Sequence, residues 1–182
     1  MTLILITPAA TLPVLLSEAR EHVKASGDDD TLISTLIAAA TGYAETYTGT
    51  AFLPQTWEYA ADKFPASDIE ITLGPIASVT SVKYLDIDGI EQTIAGAEYI
   101  ADTNSATGRV VPLTFWPTAK DVINAVRVRF VVGGTPSAQI KQAILMMVAH
   151  WYDNRASATE AGAKEVPMAT HMILDLHRRM YV

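Results

Sequence analysis

The chain has 182 residues, of which 49% are apolar and 18% are charged, and its formal net charge is −7. This apolar content and modest net charge exclude an intrinsically disordered chain, and the absence of cysteine excludes a disulfide scaffold, a cysteine-ligated metal site and thiol catalysis. Because 20 acidic residues outnumber 13 basic ones, a groove that grips nucleic acid is disfavoured as the main function.

The sequence predicts no targeting or membrane segment. The apolar residues 3–6 form a run too short for a signal peptide, no lysine or arginine precedes them, and Pro8 follows. The longest later apolar run, residues 143–149, is far shorter than a membrane span. We therefore expect a soluble chain that is made in a cytoplasm and has no membrane partner. The apolar excess has two interpretations, a well-filled monomer core or burial against other subunits, and we favour the second.

The first third of the sequence predicts two helices. Ser17 is a suitable N-cap for a helix over residues 18–25, which Gly27 would end. Three successive aspartates, residues 28–30, then open a second helix that Gly49 ends. Apolar side chains recur along this second helix at helical spacing and form one stripe: Leu32, Ile33, Leu36, Ile37, Ala40, Tyr43, Ala44 and Tyr47.

The middle of the sequence predicts strands with a half-buried, alternating pattern. Asp88-Gly89 is a hairpin turn signal between two of them. In the last strand, valines and a phenylalanine alternate with Arg127 and Arg129, and Gly133-Gly134 ends it. The predicted strands cover residues 55–61, 69–73, 79–87, 91–94, 98–101, 109–111 and 126–132.

The last third is helical again. Pro136 is compatible with a first helical turn, and Ile140, Ile144 and Trp151 fall on one predicted buried stripe. Residues 156–164 are small and polar and predict a loop. A final amphipathic helix follows, with apolar side chains at i, i+4 spacing: Met168, Met172, Leu176 and Met180.

Helices that flank a strand-rich middle are typical of the α+β class with segregated elements. We expect a helical bundle built from residues 1–53 and 133–182, with a β-rich insertion over residues 54–132.

Motifs that carry chemistry are missing from the sequence. No G-x-S-x-G nucleophile elbow occurs. His171 and His177 are six residues apart, so on a helix they point to nearly opposite sides and cannot share a metal. The aspartates at 28–30 lack the spacing of a calcium loop and favour a helix N-terminus instead. We expect no catalytic residue, no metal and no cofactor, which favours a binding or structural role.

Short motifs along residues 12–155 resemble the head–tail connector (adaptor, or head-completion) proteins of long-tailed bacteriophages and prophages. The motifs include Leu16-Ser17-Glu18-Ala19, Glu45-x-Tyr47-Thr48-Gly49, Pro54-Gln55-Thr56-Trp57, Gly74-Pro75-Ile76-x-Ser78-Val79 and Ala149-His150-Trp151-Tyr152-x-Asn154-Arg155. No single motif is diagnostic, and the resemblance rests on the ordered set.

The resemblance implies a non-enzymatic virion part. Such proteins form a ring, expected to be twelve-fold, beneath the portal vertex of the capsid. One face of the ring binds the portal protein and the other receives the head-closure (stopper) or tail protein, while genomic DNA passes through the lumen without specific binding. The implied location is the virion neck, with assembly in the host cytoplasm.

Two groups of residues follow as candidate sites. In similar proteins the C-terminus contacts the portal, which implies a docking segment containing Met172, Leu176, Arg178, Arg179, Met180, Tyr181 and Val182. Candidates for the bundle core or the ring interface are Leu32, Leu36, Tyr43, Tyr47, Ile140, Ile144 and Trp151. The alternative for the C-terminal segment is an ordinary helix that packs on its own subunit.

Three other functions stay open at this point. The chain could be a stopper or tail-completion protein of the same neck. It could be a small hydrolase, which would need His150 or His177 beside a carboxylate. It could also bind nucleic acid, although its charge disfavours this. The β-rich middle has two possible orientations, toward the tail or against the neighbouring subunit.

Overall fold

A computed structural model describes residues 2–105, 107–154 and 168–179. The predicted loop at 156–164 and the docking candidates Met180, Tyr181 and Val182 lie outside these ranges. The chain divides into two compact units. A helical unit contains Thr11–Phe52 and the described residues from Thr135 onward, and a sheet unit contains Leu53–Gly134 together with the residues up to Ala10. The α+β class predicted from the sequence is confirmed.

The described part of the helical unit contains four α-helices and one turn of 3-10 helix, over Gly27–Asp29. Helix α2 contacts the other three helices, and α3 also contacts α1 and α4. The helices are α1 (Leu16–Val23), α2 (Asp30–Thr48), α3 (Ala138–Asp153) and α4 (Met168–Leu176).

The ends of α1 differ from the sequence prediction by a few residues. Leu15, not Ser17, is the N-cap residue, and the Glu18 carboxylate reaches back to accept the Leu15 N–H at 2.8 Å. Lys24, not Gly27, ends the helix in the left-handed conformation, with φ 52°. The capping glutamate therefore fixes the start of α1 two residues before the position that a hydroxyl N-cap predicts.

The residue that ends α2 and the residue that precedes α3 are both of types that are common at these positions. Gly49 takes the left-handed conformation (φ 65°) after α2, and its N–H donates to the Glu45 carbonyl. Ser137 precedes α3, and its hydroxyl accepts the Ile140 N–H at 3.2 Å. Both caps bond backbone groups that would otherwise lack a partner at a helix end.

The core of the helical unit lies where α1, α2 and α3 meet, and Leu174 of α4 adds to it. Ile140 and Ile144, both core candidates, are buried there. Helix α2 buries a stripe that is rotated slightly from the predicted one: Ile33, Ile37, Ala40, Thr41, Ala44 and Thr48.

Two of the predicted stripe residues therefore do not belong to the core. Leu32 and Tyr43 are exposed, because each lies on the edge of the helix next to the buried stripe. Leu36, Tyr47 and Trp151 are half-buried and pack against the core from its margin.

The described sheet unit contains eight strands in two antiparallel sheets. The five-stranded sheet has the order β1-β2-β8-β4-β5, and the three-stranded sheet has the order β3-β7-β6. The strands are β1 (Thr2–Thr7), β2 (Gln55–Ala61), β3 (Ile69–Ile71), β4 (Ile76–Leu85), β5 (Glu91–Ile94), β6 (Tyr99–Asp102), β7 (Gly108–Pro112) and β8 (Val126–Val132).

Strand register places one face of the five-stranded sheet in the core. One row of paired residues crosses all five strands: Leu3, Tyr59, Val128, Val82 and Ile94. Tyr59, Val128, Val82 and Ile94 in this row are buried, as are Ile69, Ile71 and Val110 of the three-stranded sheet. Arg127 and Arg129 are exposed on the opposite face, as the alternation in β8 predicts.

The N-terminal strand β1 is the main departure from the predicted domain division. Residues 1–53 were expected to join the helical bundle, but β1 pairs along β2, with Leu3 opposite Tyr59 and Leu5 opposite Trp57. The run Leu3–Ile6 has no polar alternation, so its sequence pattern does not identify it as a strand. Its structure depends on pairing with a strand some 50 residues later in the chain.

Candidate functional site

Helix α4, near the C-terminus, has two faces of different character. Thr170 and Leu174 are fully buried within the helical unit. The other face exposes a stripe of large apolar side chains: Met168 (79%), Met172 (64%) and Leu176 (77%). The i, i+4 spacing of these three residues puts them in one row along the helix. We call Met168, Met172 and Leu176 the exposed stripe.

Polar contacts hold α4 on the neighbouring helices. The Tyr47 hydroxyl of α2 donates to the Asp175 carboxylate at 2.6 Å. Just after α4, the Arg179 N–H donates to the Thr48 carbonyl at 3.0 Å. The His177 ring lies 2.9 Å from the Gln139 amide oxygen of α3. These contacts fix the rotation of α4 and so determine which of its faces is exposed.

An aromatic cluster lies beside these hydrogen bonds. The His171 ring makes edge contacts with Tyr43 and Tyr47, at centroid distances of 6.3 and 5.4 Å. The Arg178 guanidinium lies over the Tyr47 ring, 5.4 Å from its centroid, at the distance of a cation–π contact. Tyr43 and Tyr47 thus contact α4 rather than fill the bundle core.

The electrostatics of the cluster follow from the same contacts. The hydrogen bond from Tyr47 to the Asp175 carboxylate, together with burial, raises the pKa of the Tyr47 phenol, since both favour the protonated form. Tyr47 therefore stays a hydrogen-bond donor throughout the neutral range.

The docking candidates differ in their placement. Met172 and Leu176 belong to the exposed stripe, and Arg178 is also exposed. Arg179 is half-buried, and its backbone is bonded to α2. Met168, where the predicted docking segment begins, extends the same row, as its i, i+4 spacing to Met172 indicates. The arrangement suits contact with an apolar partner surface.

The described residues also bear on the metal, membrane and hydrolase alternatives. Across residues 2–105, 107–154 and 168–179, no three His, Asp or Glu side chains converge to hold a metal ion. Among the same residues, no helix combines the length and the apolar composition needed to cross a bilayer. The hydrolase hypothesis needed His150 or His177 beside a carboxylate. The His177 ring lies 2.9 Å from the Gln139 amide oxygen, and the His150 ring lies 3.4 Å from the Asn154 amide nitrogen.

Several solved structures share the fold. A chain from the neck of an empty gene transfer agent (GTA) particle, computed with C6 symmetry, has a TM-score of 0.83 and 19% sequence identity. A chain from the virion of the native GTA particle has a TM-score of 0.82 and 19% identity. A chain from the neck of the native particle, computed with C12 symmetry, has a TM-score of 0.79 and 20% identity. Each match covers 100% of this chain and 97% of the other.

Sequence comparison identifies the family. No curated protein matches the sequence significantly. Residues 17–180 match the head completion protein family, and this range includes all of the helices except the first residue of α1 and every strand except β1. The chain therefore belongs to the head completion protein family.

Proposed function

We propose that the chain is a structural protein of the virion neck, and more specifically a ring-forming head–tail connector that joins the portal to the head-closure or tail protein. Its family supports a role in completing the head. The solved chains with the same fold come from particle necks that were computed with C6 or C12 symmetry. A twelve-fold ring is compatible with both symmetries.

The exposed stripe on α4 is the observation that carries the portal-binding part of this proposal. The opposite face of α4 is buried on its own unit, so the stripe is available to a partner without unfolding the helix. Methionine side chains are flexible and adapt to irregular apolar surfaces, and the exposed Arg178 adds a cation beside the stripe. The portal face that receives the stripe should therefore be apolar, with acidic groups at its rim.

The charge balance supports a passive role toward DNA. A net charge of −7 disfavours tight binding to phosphates, which suits a lumen through which a genome passes without specific contacts. The proposal includes no catalysed reaction.

Direct binding to the portal separates this function from the main alternative, a stopper or tail-completion protein. The purified chain is mixed with purified portal rings, with no other neck protein present, and co-sedimentation is measured. An adaptor is expected to sediment with the portal at a fixed ratio. A chain that stays in the supernatant, and sediments only when a second neck protein is added, would contradict the adaptor role and favour the stopper.

A further inference from the structure

The two edges of the five-stranded sheet have different surfaces that could fit against each other. In the described sheet unit, β1 forms one edge and β5 forms the other, so alternate backbone N–H and C=O groups of each strand point away from the sheet. An open edge of this kind can add a strand from another chain. Because the two edges differ, a contact between them would be head-to-tail.

Strand β1 lacks two of the devices that normally protect an edge, although its pairing with β2 shifts register between Leu5 and Thr7. Its sequence, Thr2–Thr7, contains no charged residue and no proline, although these are the usual means of blocking edge-to-edge pairing. Ile4, Leu5 and Ile6 are 41–44% exposed, so aliphatic side chains are exposed on both faces of the strand. A soluble protein that keeps such an edge is expected to cover it with a partner.

The opposite edge, at β5, opens onto a groove with a mixed apolar and polar lining. The groove has a volume of about 630 Å³, and Gln92 and Ile94, which share one face of β5, line it together with Tyr84 and the segment 112–117. Phe115 in that segment is 81% exposed. Glu98 is the sole charged residue among those lining the groove, and its carboxylate accepts the Ala95 N–H. A groove with a single charged residue in its lining suits an uncharged strand.

The register of the sheet shows which side chains would enter the groove. Leu3 and Ile94 belong to the same row across the five strands, so they lie on the same face of the sheet. If β1 of one copy extends the sheet of the next copy beside β5, Leu3 and Leu5 face the groove. Ile4 then lies on the other face, as Thr93 does.

We propose that β1 of one subunit pairs with the β5 edge of a second copy of this chain, with Leu3 and Leu5 in the groove. Repetition of this head-to-tail contact joins the five-stranded sheets of all subunits, and a contact of this type closes into a ring when its rotation permits. The inference rests on the proposed ring function and specifies one of its subunit interfaces.

Cross-linking tests the pairing directly, because the natural chain has no cysteine. The full-length double variant Ile4→Cys/Thr93→Cys is assembled, alone or on portal rings, and then oxidised mildly. Thr2→Cys/Thr93→Cys serves as a second pair that covers a register shifted by two residues. We expect at least one pair to give a ladder of covalent multimers on denaturing gels, and each single variant to stay monomeric.

The contrary results separate this inference from the function on which it rests. Rings without a ladder from either pair would overturn the strand pairing but leave the connector role intact. Covalent dimers of the single Ile4→Cys variant would also overturn it, because they would show two β1 strands paired with each other. A chain that forms no ring, alone or on the portal, would overturn the inference together with the proposed function.

A charge on the edge strand provides an independent measurement. Leu5→Lys is expected to lower the assembled fraction at least tenfold while the far-UV spectrum and the unfolding midpoint stay close to those of the wild type. The matched control is Ile123→Lys, which changes an apolar residue that is 81% exposed and lies outside β1 and the groove. Normal assembly of Leu5→Lys would contradict the pairing.

Discussion

The Tyr47 hydroxyl donates a 2.6 Å hydrogen bond to the Asp175 carboxylate, 128 positions later in the sequence, and so joins α2 to α4. This bond lies next to the aromatic contacts of His171 and fixes the rotation of α4. The exposed stripe depends on that rotation, because a turn of α4 about its axis would bury Met172 and expose Leu174. The same bond thus connects the stability of the helical unit with the surface proposed to bind the portal.

Removal of this bond should loosen α4 without unfolding the bundle. Tyr47→Phe keeps the ring contacts but leaves the Asp175 carboxylate without its phenol donor. Amide hydrogen exchange should become several-fold faster in residues 170–176 and stay unchanged in α3, since local opening exposes only the helix that has lost its contact. Equal acceleration in both helices would indicate global destabilisation instead.

Substitution of the exposed stripe should affect binding and not folding. Met172→Lys/Leu176→Lys changes side chains that are largely exposed, so the free energy of unfolding should stay within about 0.5 kcal/mol of the wild type. Affinity for portal rings should fall about tenfold or more, as for buried anchors of an interface. Ile123→Lys is the matched control and should bind normally. Unchanged affinity of the double variant would remove α4 from the portal contact.

Substitution of two of the candidates for the bundle core or ring interface should change the free energy of unfolding by very different amounts. Ile144 is fully buried, so Ile144→Ala should lower the free energy of unfolding by about 2–5 kcal/mol. Leu32 is exposed, so Leu32→Ala should change the free energy of unfolding by about 0.5 kcal/mol or less. Urea denaturation measures both values. A loss for Leu32→Ala as large as that for Ile144→Ala would contradict the placement of Leu32 outside the core.

Gly133 should tolerate no side chain, unlike its neighbour. Its φ is +92°, and a Cβ placed there would lie 2.1 Å from the Leu53 carbonyl oxygen, whereas nothing lies within 4 Å of a Cβ at Gly134. Gly133→Ala should therefore lower the free energy of unfolding by more than about 1 kcal/mol, and Gly134→Ala should cost much less. Thermal unfolding of the pair tests this, and equal midpoints would show that the close approach is absent.

The sheet unit should lose stability in acid through Asp102. Hydrogen bonds from the Ser105 hydroxyl at 2.6 Å and the Arg109 guanidinium at 3.1 Å lower the pKa of the Asp102 carboxyl. A depressed pKa stabilises the fold above the unfolded value of about 3.9, and this contribution is lost as the pH falls further toward the folded value. Asp102→Asn should be less stable at pH 7 and show a flatter fall of the unfolding midpoint between pH 4 and pH 2. If the unfolding midpoints of the wild type and of Asp102→Asn fell in parallel over this pH range, Asp102 would not be the cause of the loss of stability in acid.

The sequence predicted most elements but not every surface. Strands β2, β5 and β8 have the predicted bounds because local alternation and the Asp88-Gly89 turn define them. The sequence did not predict strand β1, because the conformation of this strand depends on pairing with a strand that is distant in the sequence. Helical spacing predicted that Met172 and Leu176 lie in one row. It could not predict that this row is the exposed one, because the polar contacts that orient α4 come from Tyr47, Thr48 and Gln139.

Under the proposed function, this chain forms a ring on the portal. Electron microscopy of the purified full-length protein, alone and mixed with portal rings, tests it most directly. We expect additional ring density on the outer end of the portal, with twelve-fold symmetry. A protein that stays monomeric and leaves the portal unchanged would contradict the connector account.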